Sequence, residues 1–169
     1  MKKEKNLVPN RYSLEIFYSQ ISADEIQSIE NALKHTYGAI LEVFISGELE
    51  LPPQAYHRQR GQYDAEQLLR FLLPMKKEDM AFLGIAQDLY TQEMNFIFGL
   101  AYYLQGAVLS LFRLSTKELR EKEAIHEVGH VVGLTHCTNQ CVMQYSNSLW
   151  DAKMKPLFLC ENCKQKINI

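Results

Sequence analysis

The run His126-Glu127-Val128-Gly129-His130-Val131-Val132-Gly133-Leu134-Thr135-His136 restricts this chain more than any other stretch of it. Its pattern is H-E-x-x-H-x-x-G-x-x-H. On a helix, His126 and His130 stand four residues apart on one face, so both imidazoles can reach a single metal ion. Glu127 sits beside the first histidine and can address a water on that metal without binding it. Gly133 lets the helix stop and the chain turn, because glycine tolerates positive φ. The turn returns His136 as a third ligand. A fourth position stays open for water or substrate, as a catalytic zinc requires. A bare H-E-x-x-H arises by chance in many helices. The longer form also fixes Gly133 and His136, and so reads as a metal site.

The residues after His136 extend the pattern. Cys137-Thr138-Asn139-Gln140-Cys141-Val142-Met143 follows at once, and Cys160-Glu161-Asn162-Cys163 comes later. This combination resembles the archaemetzincins, small zinc peptidases of the metzincin clan. Their pattern joins the long histidine motif to a C…C-x-M turn and a later C-x-x-C. Asp88-Leu89-Tyr90 followed by Asn95-Phe96-Ile97-Phe98-Gly99 also looks like that family. Two gaps, Cys137 to Cys141 and Met143 to Cys160, are slightly shorter than in the family pattern, a difference of loop length rather than of ligand. The resemblance implies a metzincin or zincin-like fold and a zinc metallopeptidase acting on peptide or protein substrates. It also implies a tight Met-turn that packs Met143 under the histidines without binding the metal. Tyr145, two residues further on, stands where a tyrosine approaches the metal in some other metzincins. Here it is read as a packed or rim tyrosine.

All four cysteines lie between positions 137 and 163. The even count allows two disulfides. C-x3-C with C-x2-C is metal-ligand spacing, however, and no export signal is read, so a structural zinc on Cys137, Cys141, Cys160 and Cys163 is the expectation. Two zinc ions per chain follow. Three histidines with an open position suit chemistry, and four thiolates in a closed shell suit structure. His136 and Cys137 are adjacent, so the structural site would pin the backbone that presents a catalytic ligand.

The expected mechanism is hydrolysis by a zinc-activated water, with Glu127 taking its proton and delivering it to the leaving amine. Two other classes stay open. One is a zinc-binding protein with a regulatory or peptide-binding role and little hydrolytic activity. The other is a hydrolase of non-peptide amides.

A chain of 169 residues suits one domain with a sizeable core. A net charge of −2 gives no argument for nucleic acid or an anionic membrane. Met1-Lys2-Lys3-Glu4-Lys5-Asn6 is charged, and Val8-Pro9-Asn10-Arg11 follows in place of an apolar stretch. No signal peptide and no membrane span are read. The expectation is a cytoplasmic monomer.

Elsewhere the pattern predicts strands over 12–18, 39–45, 80–86, 95–101 and 106–114. Ser22-Ala23-Asp24-Glu25 is a capping box before a helix carrying Ile26, Ile29 and Leu33 and ended by Tyr37-Gly38. Residues 46–62, with Gly47, Pro52, Pro53 and Gly61, read as a loop. Asp64-Ala65-Glu66-Gln67 opens a second helix, closed by Pro74. Ser115-Thr116-Lys117-Glu118 reads as a capping box for the motif helix. The order implies an α+β fold: a twisted mixed sheet of about five strands, packed helices including the active-site helix, and a small irregular zinc-stapled C-terminal subdomain. One domain, 1–169, is expected, with 1–133 and 134–169 as its parts. The 95–101 or 106–114 strand is the expected edge for pairing with an extended peptide. His35 falls in a last helical turn, where a cation complements the dipole. His57 lies in the loop near Arg58 and Arg60, either solvated or at a cleft rim.

Overall fold

The computed structural model describes residues 11–169, so the reading of the charged start, Met1 to Asn10, lies outside the described residues. The strand Tyr12–Ser19 (β1) buries both of its faces. Leu14 and Ile16 enter one apolar cluster and Phe17 enters another. A strand so covered belongs in the middle of a parallel sheet. β1 pairs parallel with Leu41–Glu48 (β2) on one side and with Met80–Ile85 (β5) on the other. Gly106–Ser110 (β8) continues the parallel run beside β5, and Gly99–Tyr102 (β7) closes it antiparallel. The order is β2-β1-β5-β8-β7. This is the expected mixed five-stranded sheet.

Parallel neighbours need crossovers, and helices supply them. Ala23–Tyr37 (α1) joins β1 to β2 and starts with the expected capping box: Ser22 Oγ accepts from the Glu25 N–H while the Glu25 carboxylate accepts from the Ser22 N–H. Ala65–Leu72 (α2) is capped by Asp64, which accepts from Glu66 N and Gln67 N, and a 3-10 turn carrying Pro74 ends it. Lys117–Val131 (α3) carries the histidine motif. Its cap is Thr116, whose hydroxyl accepts from Leu119 N at 3.2 Å, and not a Ser115–Glu118 box. The residue three beyond that cap is Leu119, which has no carboxylate to reach back, and Glu118 pairs with Lys122 instead. α1 and α3 cover one face of the sheet and α2 the other.

Three departures concern short or irregular segments. Residues 46–62 are not all loop: the strand expected over 39–45 starts at Leu41 and runs on to Glu48, and Tyr56–His57 (β3) and Gln62–Asp64 (β4) join Leu89–Tyr90 (β6) in a second, three-stranded sheet in the order β3-β4-β6. The strand expected over 95–101 is continuous only from Gly99: upstream of it Ile97 makes a single antiparallel bridge to Leu89, and the carbonyl of Asn95 is taken by the Gln62 amide. The strand expected over 106–114 ends at Ser110, whose hydroxyl donates to Gln87 O and accepts from Phe112 N. β8 therefore lies inside the sheet, and β7 alone of those two strands has a free edge.

The segment beyond Gly133 carries two short helices, Leu149–Met154 (α4) and Glu161–Lys166 (α5). Its Cys141, Val142, Met143, Leu159 and Cys163 share the core cluster of α1 and α3. Among the described residues no helix is long and apolar enough to cross a membrane.

Candidate metal centre

α3 delivers His126 and His130 on one face near its C-terminal end. The chain then reverses. Gly133 takes φ +100°, and the Leu134 N–H donates to Gly129 O at 2.8 Å. A side chain at 133 would be strained by that φ, which answers why glycine stands there. The reversal brings His136 back, so one nitrogen from each of His126, His130 and His136 falls within 4.8 Å of the others.

The imidazoles are oriented from behind. His126 Nδ1 lies 2.9 Å from Val142 O, and His130 Nδ1 lies 2.8 Å from Leu134 O. A carbonyl only accepts, so each Nδ1 is the donor and each Nε2 carries a lone pair. Those two Nε2 atoms face each other at 3.1 Å. Two acceptors so placed repel unless a cation lies between them. Tetrahedral zinc with bonds of about 2.0–2.1 Å sets its nitrogen ligands about 3.3 Å apart, so the donor set fits that ion. Burial first, then the nearby Lys155 charge, pushes the pKa of His126 down to about 2, and burial lowers those of His130 and His136. Neutral imidazoles of this kind are ready to bind metal.

Glu127 is buried directly beside this cluster. Burial, and then the like charge of Glu123, raise its pKa to about 8, with Lys155 opposing. The edge strand comes close here: a Cβ on Gly99 would stand 2.6 Å from Glu127 Cγ and 2.7 Å from Val108 O. A cleft of about 570 Å³ opens over the cluster, walled on one side by Phe96, Phe98 and Gly99 and on the other by Tyr145. Tyr145 is half exposed, with its ring 5.0 Å from that of His136, a rim position.

Beneath the motif, Met143 is fully buried. A Cβ on Gly129 would come within 2.9 Å of both Met143 Cε and Tyr37 Oη, so the first glycine of the motif makes room for that methionine. Lys155, 1% exposed, reaches in from the end of α4. Its Nζ lies 2.8 Å from Glu123 Oε1 and 3.3 Å from His126 Nδ1. Nδ1 already donates to Val142 O, so the lysine is a charge behind the ring rather than a hydrogen-bond partner. Glu123 Oε1 receives no well-aligned hydrogen bond, and the contact with Lys155 is ionic.

The four cysteines form a second cluster. Cys137 and Cys160 Sγ are 3.8 Å apart, and Cys141 and Cys163 Sγ are 3.7 Å apart. A disulfide needs about 2.05 Å. Tetrahedral zinc with Zn–S bonds of about 2.3 Å sets its sulfurs about 3.8 Å apart, so this set fits zinc as well. The N–H groups of Met143 and Cys160 both donate to Cys141 Sγ, an arrangement that suits a thiolate. At Cys160 burial acts upward, but the Cys163 N–H and the Asn139 amide outweigh it and draw the thiol down to about 6.

His57 stays apart. It lies on β3, edge-on to Tyr90, and does not line the cleft. His35 is exposed in the last turn of α1. Glu123, Lys155 and Gly99 join the site although the sequence pattern does not single them out for it. Glu123 stands one helical turn before Glu127 and was open to discovery by that spacing. Lys155 lies 29 residues from His126, and nothing local marks it.

Known proteins resemble this arrangement over nearly the whole chain. The family description "Peptidase family M54" matches residues 12–169. The archaemetzincin of Archaeoglobus fulgidus is 40% identical over 156 residues, covering 87% of this chain and 93% of its own. That of Nanoarchaeum equitans is 44% identical over 120 residues, 71% of each chain. Among solved structures, the Archaeoglobus fulgidus archaemetzincin complexed with malonate matches with a TM-score of 0.83 at 36% identity, covering 92% of this chain and 99% of that one. The Methanopyrus kandleri archaemetzincin matches with a TM-score of 0.85 at 32% identity, covering 96% and 97%.

Proposed function

This chain belongs to peptidase family M54, the archaemetzincins, and we propose that it cleaves peptide bonds at a zinc held by His126, His130 and His136, with Glu127 moving the proton. It is a zinc metallopeptidase, and its substrates are peptides or proteins. The observation that carries the proposed site is the pair of Nε2 lone pairs facing each other at 3.1 Å beside a buried carboxylate. Bound zinc supplies Lewis acidity, polarising the scissile carbonyl and acidifying water.

The rest of the chemistry belongs to the chain. Glu127 takes the proton of the attacking water and delivers it to the leaving amine nitrogen. Burial raises its pKa, and a dication bound beside it would draw the carboxyl back toward the ionised form that can accept a proton. Val142 O and Leu134 O fix the two helix imidazoles by accepting from their Nδ1 atoms. Met143 packs under them as the Met-turn methionine. The free edge of β7 offers backbone groups to an extended peptide, which would lay its scissile bond over Glu127.

Cys137, Cys141, Cys160 and Cys163 hold a second, structural zinc, giving two ions per chain. We read residues 1–169 as one catalytic domain of a monomer, with 134–169 as its zinc-stapled part. We place it in the cytoplasm, where thiolates persist as metal ligands. The net charge of −2 favours neither a nucleic acid nor a membrane partner.

His130→Ala tests the histidine assignment. The variant should hold one zinc per chain where the parent holds two, keep its circular dichroism spectrum and lose turnover of a quenched fluorescent peptide. Retention of both ions would overturn the assignment.

A further inference from the structure

We propose that Asp88, which belongs to neither metal cluster, is a positioning residue for substrate binding: through Gln62 and Arg113 it holds the cleft wall formed by residues 91–98. The inference rests on the peptidase reading and names the part of the chain that sets affinity for the peptide.

The wall needs holding. Between β6 and β7 the chain makes little ladder. Thr91 and Met94 exchange two backbone bonds at 3.3 Å, Ile97 N donates to Leu89 O at 3.1 Å, and Phe98 O accepts from Ser110 N at 2.8 Å at the far end, leaving Asn95 and Phe96 between them without a backbone partner among the described residues. Yet Met94, Phe96, Ile97 and Phe98 form the side of the cleft that faces the histidines and Glu127. A segment tied so sparsely would move on the timescale of loops, and a peptide would have to order it on binding.

Asp88 supplies the tie. It is 5% exposed and sits immediately before β6. Its Oδ1 accepts from Arg113 Nε at 2.9 Å and its Oδ2 from Arg113 Nη2 at 2.7 Å, a fork geometry that fixes the guanidinium plane. That plane lies 4.0 Å over the Phe96 ring. Oδ2 also accepts from Gln62 Nε2 at 2.9 Å, and the same amide nitrogen donates to Asn95 O at 2.9 Å. Two arms therefore leave one carboxylate and end on consecutive residues, one on the backbone of Asn95 and one on the ring of Phe96. Asp88, Gln62 and Arg113 do not themselves line the cleft. A carboxylate needed only to neutralise Arg113 would require neither the Gln62 arm nor the stacked plane.

The test uses the zinc-loaded full chain and a quenched fluorescent peptide. Asp88→Asn should raise KM by roughly 5-fold or more while kcat stays within about 2-fold, the signature of lost uniform binding. Zinc content should not change. Gln62→Met, which cuts the Asn95 arm and the longer 3.4 Å contact with Leu89 O but leaves the Arg113 arm intact, should act in the same direction and keeps the test open if Asp88→Asn folds poorly. Arg113→Lys keeps the charge but loses the fork and the stacked plane, so it too should raise KM. Hydrogen exchange without substrate should quicken in 91–98 and stay unchanged in α3. Wild-type kinetics from Arg113→Lys would reduce Asp88 to charge neutralisation and overturn the proposal. So would a fall in kcat and zinc content together, or exchange that quickens throughout the molecule. If the parent chain bound zinc but cleaved nothing, the peptidase reading would fail, and the exchange pattern would still decide whether Asp88 holds the wall.

Discussion

Gly99 shows how little room the reacting groups have. A methyl group there would press on Glu127 Cγ from one side and on the backbone oxygen of Val108 from the other, at 2.6 and 2.7 Å. Neither can give without moving the carboxylate or the sheet. Gly99→Ala should therefore leave zinc content intact and lower kcat by roughly 100-fold, the scale expected when a reacting group is displaced by about 1 Å. Steady-state kinetics with metal analysis checks this, and an undiminished kcat would show that Glu127 has slack. The clustering of the residues proposed to hold zinc and move the proton was legible in the sequence because their spacing encodes their geometry: His126, Glu127 and His130 by helical phase, His136 by the turn at Gly133. Gly99 was not, because what makes it glycine is a carboxylate brought in from another element. The same holds for Gly129, whose constraint is a methionine 14 residues away in the chain.

Elements were legible in proportion to their length. The three long helices and the strands β1, β2 and β5 show their periodicity over six or more residues. The second sheet does not, since strands of two or three residues carry no alternation to read. The strand expected over 95–101 was overdrawn because β-propensity says nothing about where a carbonyl finds its donor, and that of Asn95 found Gln62. One tie between elements has an energetic consequence. Lys155 joins the end of α4 to Glu123 on α3, with both side chains at most 2% exposed. Lys155→Met would leave Glu123 buried without its partner and should cost about 3–5 kcal/mol in denaturant unfolding. Lys155→Met with Glu123→Gln should recover most of that loss. A single variant as stable as the parent would mean that Glu123 does not need the ammonium.

Across the whole molecule, the segment beyond Gly133 ties the two metal clusters to one core. His136 and Cys137 are neighbours, and the Cys137 N–H donates to Met143 O at 2.9 Å, so the cysteine cluster, the buried methionine and the third histidine share one short stretch of backbone. That adjacency was readable in the chain. The contact of Val142 O with His126, which links the same stretch to α3, was not. Cys160→Ser should open the cysteine cluster and weaken zinc binding at the histidines by roughly 10-fold or more, as loss of outer support does. Zinc titration after chelator stripping measures this, and an unchanged affinity would make the two clusters independent. In the proposed mechanism the fold sets a proton-carrying carboxylate, Glu127, beside a metal it does not bind. Parallel measurement of peptide turnover and zinc content in Glu127→Ala tests it most directly. Turnover should fall by about 100-fold to 10,000-fold, the usual worth of a positioned acid–base group, with both zinc ions retained. Substantial turnover at normal zinc content would contradict the account.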